Sequence, residues 1–432
     1  MTSSDTTTTT STTTTTSTTT STTTGTVPAG GAPQQERIGL WLIGARGSVA
    51  TTAAVGLHAI ASGAAPSNGC ATATPAFEDV PLAAFDSIVI GGHDVSATPL
   101  LEKAMSLAAG GMFSTSVVAE VADRLDATDG EIRRSFAVEG GSQQDEIDRQ
   151  AADIAEFRER HSLARVVVID VASTEVLPAD RPEFHDLAAL RAALARPGET
   201  VLPPSSIAAL AAVTAGSPYV CFTPSTALAL PALEEWAAEA GVPIAGQDGK
   251  TGETLLRSVL APMFTARGMR VMSWAGANLL GGGDGQTLAD PEAVRSKLVS
   301  KNRGLRSLLG EDVVTPLHID NVPDLGDVKT AWDHAHAEGF LGSRITVQTI
   351  WSAYDSALAA PLILDLARLM SLADAAGISG PVPEMGFFFK DPWGSDVHGF
   401  AEQTAELIAW SARTGAAVVQ RSLVAGGPIR HG

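Results

Sequence analysis

Cysteine, tyrosine and positive charge are all scarce in this chain. Only two cysteines, Cys70 and Cys221, stand among 432 residues, and aromatic residues make up 5%. Two thiols supply neither a disulfide framework nor a cysteine metal cluster, which fits a reducing compartment and sets the expectation of a cytoplasmic protein. Lysine and arginine number 29 against 48 acidic residues, a net charge of −19, which argues against nucleic acid or an anionic membrane as partner. No apolar run is expected to reach the roughly 18 residues that cross a bilayer. A chain this acidic must gather its few lysines locally if it is to bind an anion.

Apolar residues are plentiful at 44%, enough for a large core, and the length suggests two or three domains. Residues 1–36 are nearly all Thr and Ser, then Gly, Pro and Ala. Such a segment cannot bury enough apolar surface to offset its ordering entropy, so disorder is expected. It has neither the basic and apolar regions of a secretory signal nor the arginines of a transit peptide.

The folded pattern starts with R-I-G-L-W-L-I-G-A-R-G-S-V-A-T-T. An apolar run from Ile38 to Ile43 meets Gly44 and Gly47 and then an Ala/Val-rich helical pattern. This reads as strand, turn and helix, either the opening unit of a dinucleotide fold or an ordinary strand-to-helix turn. S-I-V-I-G-G-H-D-V is a buried strand ending near Asp94, with His93 expected in a loop. A helical, charged segment covers 141–161. A-R-V-V-V-I-D-V-A-S-T-E is a further apolar strand. A helix near Ser205, a strand near Tyr219, a helix over 232–240 and a short strand over 242–245 follow. This alternation predicts an α/β fold with a parallel sheet covered on both faces.

From Gly246 to Lys301 the sequence is richest in chemistry. G-Q-D-G-K-T-G-E-T precedes a helix pattern with Leu255, Leu256, Val259, Leu260, Met263 and Phe264 on one face. Free amides and the dipole make a Gly/Thr-rich helix start either a seat for phosphate or a simple turn. Lys297 and Lys301, in R-S-K-L-V-S-K, are four apart and point the same way on a helix. Further on, T-P-L-H-I-D-N-V-P-D-L-G-D-V-K predicts a strand, a turn and Lys329 at a helix start. S-R-I-T-V-Q-T-I-W-S alternates like an antiparallel strand, leading into A-Y-D-S-A-L-A-A-P-L-I-L-D-L, which reads mostly as an apolar core helix. G-F-F-F-K-D-P reads as a strand ending on Lys390.

Taken in order, these blocks resemble the inositol-3-phosphate synthase family. That family reads G-D-D-x-K-S-G-Q-T, N-H-L-G-N-N-D-G and R-S-K-x-x-S-K where this chain has GQDGKTGET, NLLGGGDG and RSKLVSK. It reads G-x-G-G-x-x-G at the first turn, G-W-D-I at the second strand and W-T-A-N-T-E at the third. C-E-D-S-L-L-A-x-P-L-I-x-D-L and F-K-x-P complete the match, which covers about residues 37–400. The departures are Arg46 and Ala50 in the first turn, Ser173 for Asn, Gly282 and Gly283 for Asn-Asn, and Glu253 for Gln.

The resemblance implies a Rossmann-like doubly wound NAD-binding domain over 37–254, resumed over 358–432. An inserted α+β catalytic and tetramerisation domain takes 255–357. It implies NAD-dependent conversion of glucose 6-phosphate to inositol 3-phosphate by oxidation at C5, enolisation, internal aldol closure and re-reduction, in a homotetramer. Lys297, Lys301, Lys329 and Lys390 are then the catalytic set, with Lys297 and Lys390 on the C5 and C1 oxygens. Thr251, Gly252, Glu253, Thr254 and Gly282 would hold the substrate. Gly44, Arg46, Gly47, Ser48, Val49, Asp94, Ala172, Ser173, Thr174, Asp248, Asp284, Asp355 and Ser356 would border the cofactor. Activation by a metal or ammonium ion is left open. The rival readings are a plain NAD-dependent sugar-phosphate dehydrogenase and a catalytically silent nucleotide-binding homologue.

Overall fold

A computed structural model describes residues 36–136, 140–281 and 304–425. The apolar run Ile38–Ile43 forms β1, buried along its whole length. Its side chains alternate between two cores, Leu40 and Leu42 into one, Trp41 and Ile43 into the other, as a central strand covered on both faces requires. Helix α1, Ser48–Ser62, follows after Gly47. Strands β2 (Ile88–Asp94), β3 (Ile132–Arg134), β4 (Arg165–Asp170), β5 (Tyr219–Cys221) and β6 (Pro243–Gly246) add to β1. Between them lie α2 (Leu100–Ala109), α3 (Thr115–Glu120), α4 (Ala122–Asp129), α5 (Gln143–Arg160), α6 (Leu187–Leu194), α7 (Pro204–Thr214) and α8 (Pro231–Ala240).

After β6 come α9 (Glu253–Ala266) and four strands: β7 (Arg270–Leu280), β8 (Leu317–Asn321), β9 (Val328–Glu338) and β10 (Arg344–Tyr354). Helices α10 (Asp355–Ala375) and α11 (Phe400–Ala425) flank the short β11, Gly380–Pro381. The larger sheet runs β11-β6-β5-β4-β1-β2-β3, and its recorded pairs are all parallel. The smaller runs β10-β9-β7-β8, antiparallel except for β7 with β8. Chain order leaves β1 toward β2 and β3 on one side and resumes from β4 toward β5 and β6 on the other. The carboxyl ends of β1 and β4 therefore flank a topological switch point.

Several expectations are corrected. His93 lies in β2, fully buried, with Nδ1 accepting from Trp41 Nε1 at 3.0 Å and Nε2 2.9 Å from Asp153. Lys329 stands at the start of β9, because the turn at Pro323–Leu325 returns the chain into the sheet. The Phe387–Phe389 run is a 3₁₀ turn, Pro383–Phe388, and Phe389 makes one isolated antiparallel bridge to Gly249. The apolar stripe of α9 coincides only in part with its buried face, since Phe264 is buried but the rest of the stripe is half-buried or exposed. Val259 and Met263 are 48% and 45% exposed, while Glu253, Arg257, Ser258, Ala261 and Phe264 are buried.

A charged network explains that rotation of α9. Arg257 reaches Glu253 at 2.7 Å and Asp333 on β9 at 2.7 Å, and Asp333 also accepts from Trp274 Nε1 at 2.7 Å. Asn278 donates to the other oxygen of Glu253 at 2.9 Å. Two carboxylates share one guanidinium, so burial followed by the nearby Glu253 charge raises the Asp333 carboxyl against the pull of Arg257.

Helix α10 is the apolar core helix that its sequence leads one to expect. Its 21 residues are long and apolar enough to cross a membrane by length and composition. Its stretch from Ala359 to Ala373 is largely buried, packed against α1 and β4. Within it, Asp365 accepts from the amides of Ala71 and Thr72 at 2.7 and 3.1 Å, and Arg368 donates to Ala83 O at 2.8 Å. These bonds tie the helix to a loop of the same unit, as a core helix requires.

Candidate active site

A cleft of about 770 Å³ opens at the carboxyl ends of β1, β4 and β5 and extends to the starts of β9 and α10. Its floor is the turn after β1. Gly44 has φ +80°, and a Cβ there would lie 2.8 Å from Ala172 Cα, so only glycine lets the two strand ends approach this closely. Gly47 caps α1 with no side-chain acceptor. Among the described residues no side chain caps the first amides of that helix. Ser48 and Val49 line the cleft beside them.

Two carboxylates hold this turn. Asp94 accepts from the Arg46 amide at 2.7 Å and the Ser96 amide at 2.6 Å. The Arg46 guanidinium turns outward, bonding Asp129 through Nε at 2.8 Å and Ser96 O at 3.0 Å. Burial pulls Asp129 upward, but the bonds from Arg46 and the Leu100 amide outweigh it and hold the carboxyl below its ordinary range. Ala172, Ser173 and Thr174 line the opposite wall.

At the far end two lysine–carboxylate pairs face the cleft. Lys390 donates to Asp248 at 2.7 Å, both side chains nearly buried. The backbones around them are stitched together, with Lys390 N on Asp248 O at 2.7 Å and Lys250 N on Phe388 O at 2.8 Å. Gly249 permits this approach, since a Cβ there would fall 2.2 Å from the Phe222 ring. Lys329 donates to Asp355 at 3.2 Å, and Thr251 donates to the other oxygen of Asp355 at 2.7 Å. Ser356 lines the cleft next to them.

The other substrate candidates divide. Gly252 starts α9 with no side-chain cap and packs against Trp351. Glu253 turns its carboxylate inward to Arg257, away from the cleft. Thr254 lines a smaller adjoining pocket with Lys250, Arg257 and Lys390. Among the described residues its Oγ1 and the Trp351 Nε1 are buried without hydrogen-bond partners. Gly282, Asp284, Lys297 and Lys301 lie outside the described residues.

Sequence reasoning passed over Lys250, Asp170 and Trp351. Lys250 is 4% exposed, donates to Gln403 Oε1 and Gly386 O, and burial lowers its ammonium to about 7. Its place inside GQDGKTGET was the available signal. Asp170 ends a continuously apolar strand, a second signal. Nothing local marks Trp351, which reaches α9 only through the sheet.

A doubly wound parallel sheet, a glycine turn and an uncapped helix start at the switch point together define an α/β protein of the dinucleotide-binding class. The family model described as myo-inositol-1-phosphate synthase matches residues 38–411. Inositol-3-phosphate synthase 1 of Bacteroides thetaiotaomicron is 31% identical over 401 residues, covering 86% of this chain and 92% of that protein. The inositol-3-phosphate synthase of Spirodela polyrhiza is 33% identical over 242 residues, 54% of this chain and 47% of that one. The crystal structure of inositol-3-phosphate synthase from Caenorhabditis elegans superposes with a TM-score of 0.78 at 22% identity, covering 88% and 86% of the two chains. A myo-inositol-1-phosphate synthase-related protein from Thermotoga maritima gives 0.68 at 21%, covering 87% and 98%. This chain belongs to the myo-inositol-1-phosphate synthase family.

Proposed function

We propose that the chain is an isomerase that converts D-glucose 6-phosphate to 1D-myo-inositol 3-phosphate with NAD. The observation that carries this reading is the meeting of the glycine turn and two lysine–carboxylate pairs in one cleft. The residues fit the dinucleotide. A missing Cβ at Gly44 and open amides at α1 suit a pyrophosphate, Asp94 would meet ribose hydroxyls or the cofactor amide, and Ala172, Ser173 and Thr174 would border the cofactor with Asp248, Asp355 and Ser356 at the nicotinamide end. When bound, NAD supplies a reversible hydride acceptor.

The chain's own residues then handle charge. Oxidation, enolisation and aldol closure each place negative charge on a substrate oxygen, which preorganised cations in a water-poor cleft stabilise strongly. Lys390 and Lys329 serve here with Lys297 and Lys301, and Asp248 and Asp355 orient the first two. The uncapped start of α9, with the unpartnered Thr254 hydroxyl and Trp351 indole, suits the substrate phosphate. Gly282 would contribute at the same seat. Arg257 neutralises Glu253, which removes the repulsion that a carboxylate at this position would otherwise bring.

The same reading makes residues 37–254 and 358–432 the cofactor domain and 255–357 the catalytic insertion, in a cytoplasmic homotetramer. Incubation with glucose 6-phosphate and catalytic NAD tests the activity. Inositol phosphate should accumulate without net NADH. Stoichiometric NADH would favour a plain dehydrogenase, and neither product would favour a silent homologue.

A further inference from the structure

Asp170 closes β4 between Ile43 of β1 and Cys221 of β5, at the switch-point crevice. It lines the cleft and is 1% exposed. Three other carboxylates there are matched by strong donors, Asp94 by two amides, Asp248 by Lys390, and Asp355 by Lys329 and Thr251, and Glu175 accepts from Ser205. Among the described residues the Asp170 carboxyl has only the Ala172 amide at 3.0 Å and a long contact of 3.4 Å from the Tyr219 hydroxyl. Among the described residues no cation pairs with it. The titratable groups facing it are Glu175 from its own loop and Tyr219 and Cys221 from β5, all neutral or negative. The neighbouring end of β1 presents Ile43 and Gly44, and α7 presents Ser205 and Ala208 to the cleft. A buried carboxyl so placed favours its neutral form. Burial first, then Glu175, raises it to about 7 against the two hydrogen bonds. The family motif quoted above carries Trp at this position.

We propose that Asp170 is a positioning residue that holds a proton at the crevice, and that this proton couples dinucleotide affinity to pH. The inference rests on the reading of NAD as cofactor. While neutral, Asp170 keeps the loop through Ala172 in place and sets no charge against the pyrophosphate. When ionised it adds a negative charge to a crevice that must take a diphosphate. Affinity is therefore highest on the acid side of neutrality and falls as pH rises.

The experiment is calorimetric titration of NAD into the full chain between about pH 6 and about pH 8.5. The Kd should rise several-fold, bounded by about tenfold per pH unit for one linked proton. Asp170→Asn, a neutral isostere, should bind NAD as the wild type does at low pH, with no slope. Tyr219→Phe removes a donor to the carboxylate and should move the midpoint upward, a displacement that a purely structural role would not produce. It also provides the test if Asp170→Asn fails to fold. A flat wild-type profile, affinity that increases with pH, a slope retained in Asp170→Asn or an unmoved midpoint in Tyr219→Phe overturns the proposal while leaving NAD as cofactor. No NAD binding at any pH overturns both.

Discussion

At the scale of single residues, the lysines are set apart by what each one touches. Lys390 is almost buried and hydrogen-bonded to Asp248, so its ammonium has a fixed direction before any substrate arrives. Removing one such donor to a developing oxyanion costs about 10²–10³ in rate. Lys390→Ala should lower inositol phosphate formation by that factor while NAD titration stays unchanged. Retention of more than about a tenth of turnover would remove Lys390 from the charge-stabilising set. Lys250 makes a different prediction. Burial lowers its ammonium to about 7, beneath the unfolded value of about 10.4. The folded state then prefers the neutral amine, so its contribution to stability is complete above the unfolded value and is lost as pH falls through about 7. The urea midpoint of the wild type should gain on that of Lys250→Met as pH rises through this window. Parallel midpoints would mean that Lys250 keeps its proton throughout.

Among elements, α9 is the most informative. Its charged side is buried because Arg257 bridges Glu253 and Asp333, which leaves Val259 and Met263 outward. Arg257→Leu would strand two buried carboxylates and should cost about 3–5 kcal/mol in urea unfolding. Glu253→Gln relieves the crowding of two acids on one cation and should change stability by no more than about 1 kcal/mol. A large loss in that variant would show that Glu253 carries the network. The outer face of the smaller sheet makes another prediction. Ile350 is 76% exposed and sits opposite Trp332, itself 38% exposed. An apolar face of this kind is normally covered, and a second copy of the chain is the occupant we expect. Ile350→Asp should at least halve the mass seen by light scattering. A wild type that is monomeric at micromolar concentration would refute assembly altogether.

At the scale of the whole molecule, the two sheets meet along one cleft, and the pairs that build it join distant parts of the chain. Lys390 and Asp248 are 142 positions apart, Thr251 and Asp355 104. The sequence by itself determined the elements whose signals are local. The apolar run of β1 with its glycine turn, the buried strands β2 and β4, the alternation of β10 and the apolar body of α10 all follow from periods of two or 3.6 and from glycine's freedom. It also named Asp94, because that residue closes a strand, whereas Asp248, Asp355 and Lys390 were named through the resemblance of their motifs to the family's. Only the tertiary structure decided which side of α9 faces inward, that Lys329 begins a strand, and that Lys250 and Asp170 are buried. Periodicity shows which residues share a face, but the partner that face meets is chosen by packing and ion pairing across the fold. The motif around Lys250 and the apolar strand before Asp170 hint at burial, but the partner of a buried charge, or the lack of one, is brought by an element far away in the chain.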